Sequence, residues 1–246
     1  MDDNNLNFLI LSILDGSHRK FVKNNHIDDY YKGTFTSDRL NENNSLRLCL
    51  RPGGKSFLIS FVVNTLDGRY SDSSSIGHWL AVIIQYSTTN KTLTLRFVDS
   101  FGKKYTSYHL VAKFINGIKL KCLQNHVKFV YDSLTYPFQS RDSKVCGGYV
   151  CYAITHIWEK KNDLSLKKIF SNFKTKGGER GNDMKIIHFI ESHWNTGFCH
   201  NDRINNNTKV LPIKKLLQGS TFPPPFCPKK TLGTEQCNVG ECKCIS

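Results

Sequence analysis

A cysteine that lies between a polar loop and an apolar helix is the feature that most restricts the fold of this chain. The largely polar residues 139–145 lead into Cys146, two glycines follow, and the apolar residues 149–158 are typical of a buried helix. A thiol at the start of a helix lies near free backbone N–H groups and the positive end of the helix dipole, and both favour the thiolate. Gln139 carries an amide N–H that can bind an oxyanion formed at that thiolate. The pattern predicts a nucleophile loop, although a buried structural cysteine is the more common reason for such a position.

Two apolar segments upstream predict a hairpin that brings a histidine to a carboxylate. Residues 77–84 form an apolar run that opens on His78, and residues 92–98 form a second run that leads to Asp99. The polar residues 87–90 between them predict a turn. The start of one antiparallel strand lies beside the end of its partner, so His78 and Asp99 are expected to be neighbours. A carboxylate beside an imidazole fixes its tautomer and stabilises the imidazolium formed when it accepts a thiol proton.

These residues belong to segments that resemble the adenovirus endopeptidase (adenain) family, thiol proteases related to the SUMO- and ubiquitin-like-specific proteases. The family pattern is His-Trp, an acid followed by x-Phe-Gly, a Gln, and Cys-Gly before an apolar helix. This chain supplies it as Gly77-His78-Trp79-Leu80-Ala81, Phe97-Val98-Asp99-Ser100-Phe101-Gly102, Gln139 and Cys146-Gly147. The likeness continues in residues 31–35, 61–65 and 189–193, so it spans roughly residues 1–195 in one unbroken order.

The resemblance implies an α+β, papain-like fold, in which helices flank a central mixed sheet and the nucleophile begins a buried helix. The implied catalytic residues are Cys146 as nucleophile, His78 as general base and acid, Asp99 as its orienting partner and Gln139 as oxyanion donor. The implied substrate-binding residues are Gly77, Gly147 and Trp79, the last as a wall of a narrow cleft.

Two departures from the family pattern bear on these expectations. The acid is Asp99 where adenain has Glu, and the hairpin between His78 and the acid is a few residues longer. Related proteases use Asp in this role, so the substitution is expected to be harmless. Adenain is stimulated by a viral peptide that forms a disulfide with one of its cysteines, but the aligned position here lies near Lys128. Cys122 is the alternative anchor, so activation by a disulfide-linked peptide stays open.

Three functions compete at this stage. The first is a viral or virus-derived thiol endopeptidase that cuts capsid and core precursor proteins after Gly-containing motifs during virion maturation, with DNA as activator. By this analogy the protein acts in the virion and the host nucleus. The second is a SUMO- or ubiquitin-like isopeptidase, which has the same catalytic residues. The third is a catalytically silent, DNA-associated structural protein, against which the presence of all four site residues argues.

The charge of the chain favours a polyanionic partner. It contains 34 Lys and Arg residues against 20 Asp and Glu residues, a formal net charge of +14. Such an excess attracts nucleic acid without reading its sequence, through the phosphate backbone. A solvated surface explains either lysine-rich stretch alone, whereas both together, with the resemblance to a DNA-activated protease, predict DNA binding. The lysines expected to contribute are Lys103, Lys104, Lys113, Lys119, Lys121, Lys160, Lys161, Lys167 and Lys168.

The chain is expected to divide into a protease domain, residues 1–197, and a flexible tail rich in Asn, Pro and Cys, residues 198–246. The tail cysteines lack the Cys-x-x-Cys spacing of structural zinc sites, so no metal is predicted. The nine cysteines are not expected to form disulfides, and Cys151 is expected in the core. No secretory leader or membrane span is predicted, and a monomer is expected.

The remaining segments predict further elements by their hydrophobic periodicity. Residues 15–45 are expected to be rich in loops, and residues 57–64 to form the central strand of the sheet. Met184, Ile187 and Ile190 are expected to form the apolar stripe of the last helix. The other predicted elements are an N-terminal amphipathic helix with Phe8, Leu9, Ile13 and Leu14 toward the core, strands at 46–50 and 127–132, and helices at 108–120, 164–173 and 183–193.

Overall fold

The computed structural model describes residues 6, 10, 28–41, 55–65, 77–159 and 164–197. The predicted strand at 46–50, the tail at 198–246 and the four apolar residues assigned to the N-terminal helix lie outside these ranges. Leu6 and Ile10, which are described, are helical and fully buried. Within the described part, no helix combines the length and apolar character that crossing a bilayer requires.

Within the described ranges, five strands form one mixed sheet in the order β1-β2-β3-β4-β5. The outer pairs, β1 with β2 and β4 with β5, are parallel, and the inner pairs are antiparallel. The strands are β1 Asp28–Thr36, β2 Phe57–Asn64, β3 Trp79–Ser87, β4 Thr92–Val98 and β5 Lys128–Ser133. The helices are α1 His109–Gln124, α2 Cys146–Glu159, the single turn α3 Leu166–Ile169 and α4 Glu179–Gly197, with 3-10 turns at Ser37–Asn41 and Tyr105–Ser107.

The two faces of the sheet carry separate hydrophobic cores because side chains alternate along each strand. On β3, Trp79, Ala81 and Ile83 pack with α2 and α4, whereas Leu80 and Val82 pack under α1 on the other face. A strand covered on both faces reads as a continuous apolar run, which is why the sequence of β3 lacks polar alternation. The predicted α+β fold is therefore confirmed: helices cover both faces of a mixed sheet, and Cys146 is the first residue of a buried helix.

The position of β2 was predicted incorrectly. The central strand is β3, and β2 lies between β3 and β1. The extra strand β1 comes from residues that were interpreted as loop. Its sequence contains charged residues and Gly33, which has a φ of 90° and lies at a shift in register between Tyr31 and Thr34. An edge strand with a bulge needs no apolar alternation, so its periodicity gave no sign of a strand.

The C-terminal helices also differ from the prediction. Residues 164–173 contain only the single turn α3, whereas α4 starts four residues before the predicted start at 183 and continues to Gly197. Of the predicted stripe, Ile190 is buried and Ile187 packs partly buried against the core, whereas Met184 is 43% exposed and was assigned incorrectly; the buried face of α4 is formed by Asn182, Asp183, Ile186 and Ile190. This face packs on Gly148 of α2, where the absence of a side chain lets the two helices approach closely.

Replacing Gly148 with alanine is expected to destabilise the protein by about 1–3 kcal/mol through overpacking. A Cβ at this position would lie 2.4 Å from Cγ2 of Ile186 and 2.5 Å from Cδ1 of Ile190. Urea unfolding measures the difference. The matched control is Gly117→Ala on α1, where a Cβ meets no atom within 4 Å. This control should stabilise the chain by about 0.5–1 kcal/mol, since alanine is the better helix former. Equal effects of the two substitutions would contradict the close contact of α2 and α4.

Candidate active site

His78 and Asp99 lie together at one end of the β3–β4 hairpin, as the hairpin pattern predicted. Nε2 of His78 lies 2.8 Å from Oδ1 of Asp99. The backbone of His78 is fixed by Thr65 at the end of β2: its N–H donates to the Thr65 hydroxyl at 2.9 Å, and its carbonyl accepts the Thr65 N–H at 3.0 Å. Three neighbouring strands therefore determine where the imidazole lies.

The carboxylate of Asp99 is buried and receives three hydrogen bonds. Oδ1 accepts from His78 and from the backbone N–H of Phe101 at 2.8 Å, and Oδ2 accepts from the hydroxyl of Tyr108 at 2.7 Å. Burial alone would raise the pKa of Asp99, but the bonds from His78, Tyr108 and Phe101 outweigh it and lower the pKa below its ordinary value. Asp99 is thus a carboxylate at neutral pH. The ring of Phe101 also lies against the imidazole, with centroids 4.7 Å apart.

Cys146 lies on the other side of His78. It is the first residue of α2, it is 7% exposed, and it interacts with the imidazole closely enough to raise the pKa of His78. Since Nε2 faces Asp99, Nδ1 is the nitrogen that remains for the thiol. Burial alone would lower the pKa of His78, whereas the bonds to Asp99 and Cys146 raise it to about 9. A histidine with this pKa holds its proton at neutral pH, and an imidazolium beside a thiol is the partner that a reactive thiolate needs.

Gln139 is buried, and both the oxygen and the nitrogen of its side-chain amide are held by hydrogen bonds. Its Oε1 accepts the Ser100 hydroxyl at 2.5 Å, and its Nε2 donates to the carbonyl of Ser143 at 2.8 Å. An amide nitrogen carries two N–H groups, so one remains for an oxyanion. The Ser100 carbonyl also accepts the backbone N–H groups of Phe138 and Gln139, at 2.8 and 3.1 Å. The turn after Asp99 therefore holds the Gln139 loop directly.

Gly102 allows that turn to contact the Gln139 loop. Its φ is +68°, and a Cβ there would lie 2.5 Å from the carbonyl carbon of Tyr136. For both reasons, any residue other than glycine at this position would distort the backbone. The glycine that the resemblance singled out is thus required by the packing of the two loops that carry Asp99 and Gln139.

The residues predicted to bind substrate have different surroundings. Gly77 is partly exposed beside His78, and Gly147 is buried in the first turn of α2. Trp79 is 3% exposed and packs within the core between the sheet and α2. Trp79 thus presents almost no surface, and its role as a wall of the cleft stays a prediction.

The predicted lysines that the structure describes lie on or just before helices that cover opposite faces of the sheet. Lys113, Lys119 and Lys121 are exposed on α1, which covers one face of the sheet, and Lys103 and Lys104 are exposed just before it. Lys167 and Lys168 are exposed on α3, whose buried residues belong to the core on the opposite face. Lys160 and Lys161 lie outside the described residues.

Neither of the other described cysteines is placed for catalysis. Cys151 is fully buried in α2, as predicted, and burial raises its pKa to about 12. Cys122 lies on the buried face of α1, and burial raises its pKa as well. A peptide cannot form a disulfide with Cys122 unless α1 moves away from the sheet. Among the described residues, no group of His, Cys, Asp and Glu side chains is arranged to hold a metal ion.

Sequence reasoning missed Tyr108, which belongs to no motif and precedes α1. Replacing Tyr108 with phenylalanine is expected to destabilise the protein by about 1–3 kcal/mol, because a buried carboxylate loses a charge-assisted hydrogen bond. Tyr105→Phe is the matched control, since that hydroxyl makes an exposed bond to Asn116 at 3.3 Å and its loss should cost less than about 1 kcal/mol. Denaturant titration of both variants measures the difference, and similar losses would show that the Tyr108 bond contributes little.

No protein-family model matches the chain, and no curated protein matches its sequence. Among solved structures, the ASFV pS273R protease is similar at 14% identity and a TM-score of 0.45, over 71% of this chain and 65% of that one. A RavZ effector of Legionella pneumophila is similar at 12% identity and a TM-score of 0.41, over 80% of this chain and 68% of that one. The SUMO protease Ulp1, with its catalytic cysteine oxidized to a sulfonic acid, is similar at 15% identity and a TM-score of 0.35, over 78% of each chain.

This chain spans less than two thirds of the ASFV protease chains, at 65% and 42% of their lengths. Identities and TM-scores in this range do not bear on function. The resemblance to the adenain family thus stays a prediction, and the chemistry is inferred from the arrangement of His78, Asp99, Gln139 and Cys146.

Proposed function

We propose that this chain is a cysteine endopeptidase. The observation that carries the proposal is the position of His78, which is hydrogen-bonded through Nε2 to Asp99 and also interacts with Cys146 at the start of α2. Nucleophilic catalysis by a cysteine requires a thiol, a base next to it and an acid that orients the base. A purely structural cysteine needs neither a protonated histidine nor a buried carboxylate beside it.

The proposed reaction proceeds in two halves. In the proposed starting state His78 already holds the thiol proton at Nδ1, so the Cys146 thiolate attacks the scissile carbonyl carbon through Sγ. The resulting oxyanion is bound by the backbone N–H of Cys146 and the free N–H of Gln139. His78 then donates its proton to the amine as the C–N bond breaks, which leaves a thioester. A water molecule, deprotonated by His78, attacks the thioester, and the acid and the thiol are released.

Burial of the nucleophile supports the proposed preference for glycine. Cys146 is only 7% exposed, and Gly147 behind it is buried. A substrate must therefore bring its carbonyl close to a recessed sulfur, and a residue without a side chain obstructs this approach least. We accordingly propose cleavage after Gly-containing motifs, as the resemblance implied, with viral precursor proteins as the substrate class.

The exposed lysines support stimulation by DNA. Five of the predicted lysines lie on or just before α1, in a chain of net charge +14. Contacts with phosphates would concentrate a basic enzyme on a polyanion, with a strong dependence on salt and without sequence specificity. The same lysines would serve a silent DNA-associated protein, so binding to DNA alone does not distinguish an enzyme from a structural protein.

Turnover of fluorogenic peptides that end in Leu-x-Gly-Gly tests the proposal. The reduced protein is assayed with and without DNA, before and after treatment with an active-site thiol probe. We expect turnover that the probe abolishes and that DNA raises at low salt. A ubiquitin-like fusion is included, and faster cleavage of the fusion than of the peptides would indicate an isopeptidase instead. DNA binding without turnover or labelling of Cys146 would contradict catalysis.

A further inference from the structure

The loop that carries Gln139 is held at three consecutive residues by different parts of the fold. The carbonyl of Phe138 accepts a hydrogen bond from Nδ2 of Asn182 at 3.2 Å. Gln139 is held by Ser100, as described above. Ser140 is held by Asp183 on α4, which accepts its backbone N–H at 3.1 Å and its hydroxyl at 2.5 Å, both at Oδ2. The loop is therefore fastened from the Asp99 turn on one side and from α4 on the other.

Asp183 has the properties of a rigid support. Its residue is 5% exposed, and its second oxygen, Oδ1, lies 3.0 Å from the hydroxyl of Tyr149 on α2. Hydrogen bonds to a buried carboxylate are stronger than those between neutral groups. One side chain thus connects α4, the first turns of α2 and the residue that follows Gln139. No hydrophobic pattern requires a carboxylate here, since this face of α4 is otherwise buried in the core.

We infer that Asp183 is a positioning residue for the oxyanion donor Gln139, and that it acts through Ser140. This inference rests on the proposed function, because an oxyanion must form for the position of Gln139 to matter. Stabilisation of an oxyanion depends on donors that are already aimed at it before the reaction, so a small displacement of the amide is costly. Without Asp183, Ser140 loses the backbone bond and the side-chain bond that tie it to α4, directly next to Gln139.

The inference predicts a selective loss. In Asp183→Ala, kcat is expected to fall by about 10²-fold, as for the loss of one oxyanion donor, with little change in KM. The affinity for a peptide aldehyde, which binds as a tetrahedral adduct of Cys146, should fall by a similar factor. Alkylation of Cys146 by iodoacetamide creates no oxyanion, so its rate should stay unchanged. That rate also reports whether the His78–Cys146 pair is intact in the variant.

A double-mutant cycle with Gln139→Ala decides between positioning and general damage. If Asp183 acts through Gln139, the double variant should be no slower than Gln139→Ala alone. Ser140→Ala, which removes one of the two bonds, should show a smaller loss than Asp183→Ala. Asp142→Ala is the matched control: this aspartate lies in the same loop and pairs with Arg180 of the same helix at 3.7 Å, but both side chains are exposed. It should change no parameter.

The possible results separate this inference from the proposed function. Losses in Asp183→Ala that add to those of Gln139→Ala, or slower alkylation, would overturn the positioning role while the wild-type enzyme remains a protease. A wild-type protein without turnover and without aldehyde binding would overturn both. If Asp183→Ala does not fold, Ser140→Ala provides the comparison, because it removes the hydroxyl bond to Asp183 and keeps the buried carboxylate with its bond from Tyr149.

Discussion

Replacing Cys146 with alanine is expected to abolish peptide turnover, with a loss of at least about 10⁴-fold. The substitution removes the atom that forms the covalent intermediate, while the bond between His78 and Asp99 and the bond from Ser100 to Gln139 remain. Because Cys146 is small and lies at a helix start, the fold should persist, and DNA binding should be unaffected. Single-turnover and steady-state assays with the Gly-Gly peptides measure the loss, at several enzyme concentrations.

Cys151→Ala is the matched control, since Cys151 lies in the same helix five residues later and is fully buried. It should cost about 1 kcal/mol of stability and leave kcat unchanged. Turnover that survives in Cys146→Ala but is lost in Cys151→Ala would identify the wrong nucleophile. Turnover that survives in both variants would show that the observed hydrolysis does not use these thiols.

The parts of the site that could be predicted are those set by local rules. A two-strand hairpin brings the start of one strand to the end of the next, so His78 and Asp99 were predictable from the apolar runs and the turn between them. The helix that begins at Cys146 was predictable from its glycines and its apolar continuation. Both relations involve short segments whose geometry leaves few alternatives.

The supporting contacts depend on tertiary packing and could not be predicted. Tyr108 reaches Asp99 because α1 starts where β4 and its turn end, and Asp183 reaches Ser140 because Gly148 lets α4 approach α2. The strand β1 was missed because an edge strand has no buried alternation, and Met184 was assigned to the buried stripe because its spacing does not show which face of α4 is covered. In each case the missing information is which element packs against which.

Asp99→Ala and Asp99→Asn are expected to separate orientation from charge in the function of this carboxylate. The alanine variant loses all three hydrogen bonds of Asp99, so the imidazole loses its support and kcat should fall by about 10²–10⁴-fold. In the asparagine variant, the amide oxygen can still accept from His78 and Phe101, and its nitrogen can donate to the oxygen of Tyr108. Orientation is then retained without the charge, so the loss near pH 6.5 should be less than about 10²-fold.

The pH dependence of kcat/KM provides the second measurement. The pKa of His78 is raised from 6.5 to about 9, so the imidazolium is present below both values and is lost as the pH rises through about 9. Because the protonated form donates to the leaving amine, wild-type activity should decline on the alkaline side near pH 9. Asp99→Asn removes the negative charge that opposes the effect of burial, which moves this decline to lower pH. If the alkaline decline does not move in Asp99→Asn, the charge of Asp99 does not hold the His78 proton. If Asp99→Asn is as slow as Asp99→Ala, Asp99 does not act by orienting the imidazole.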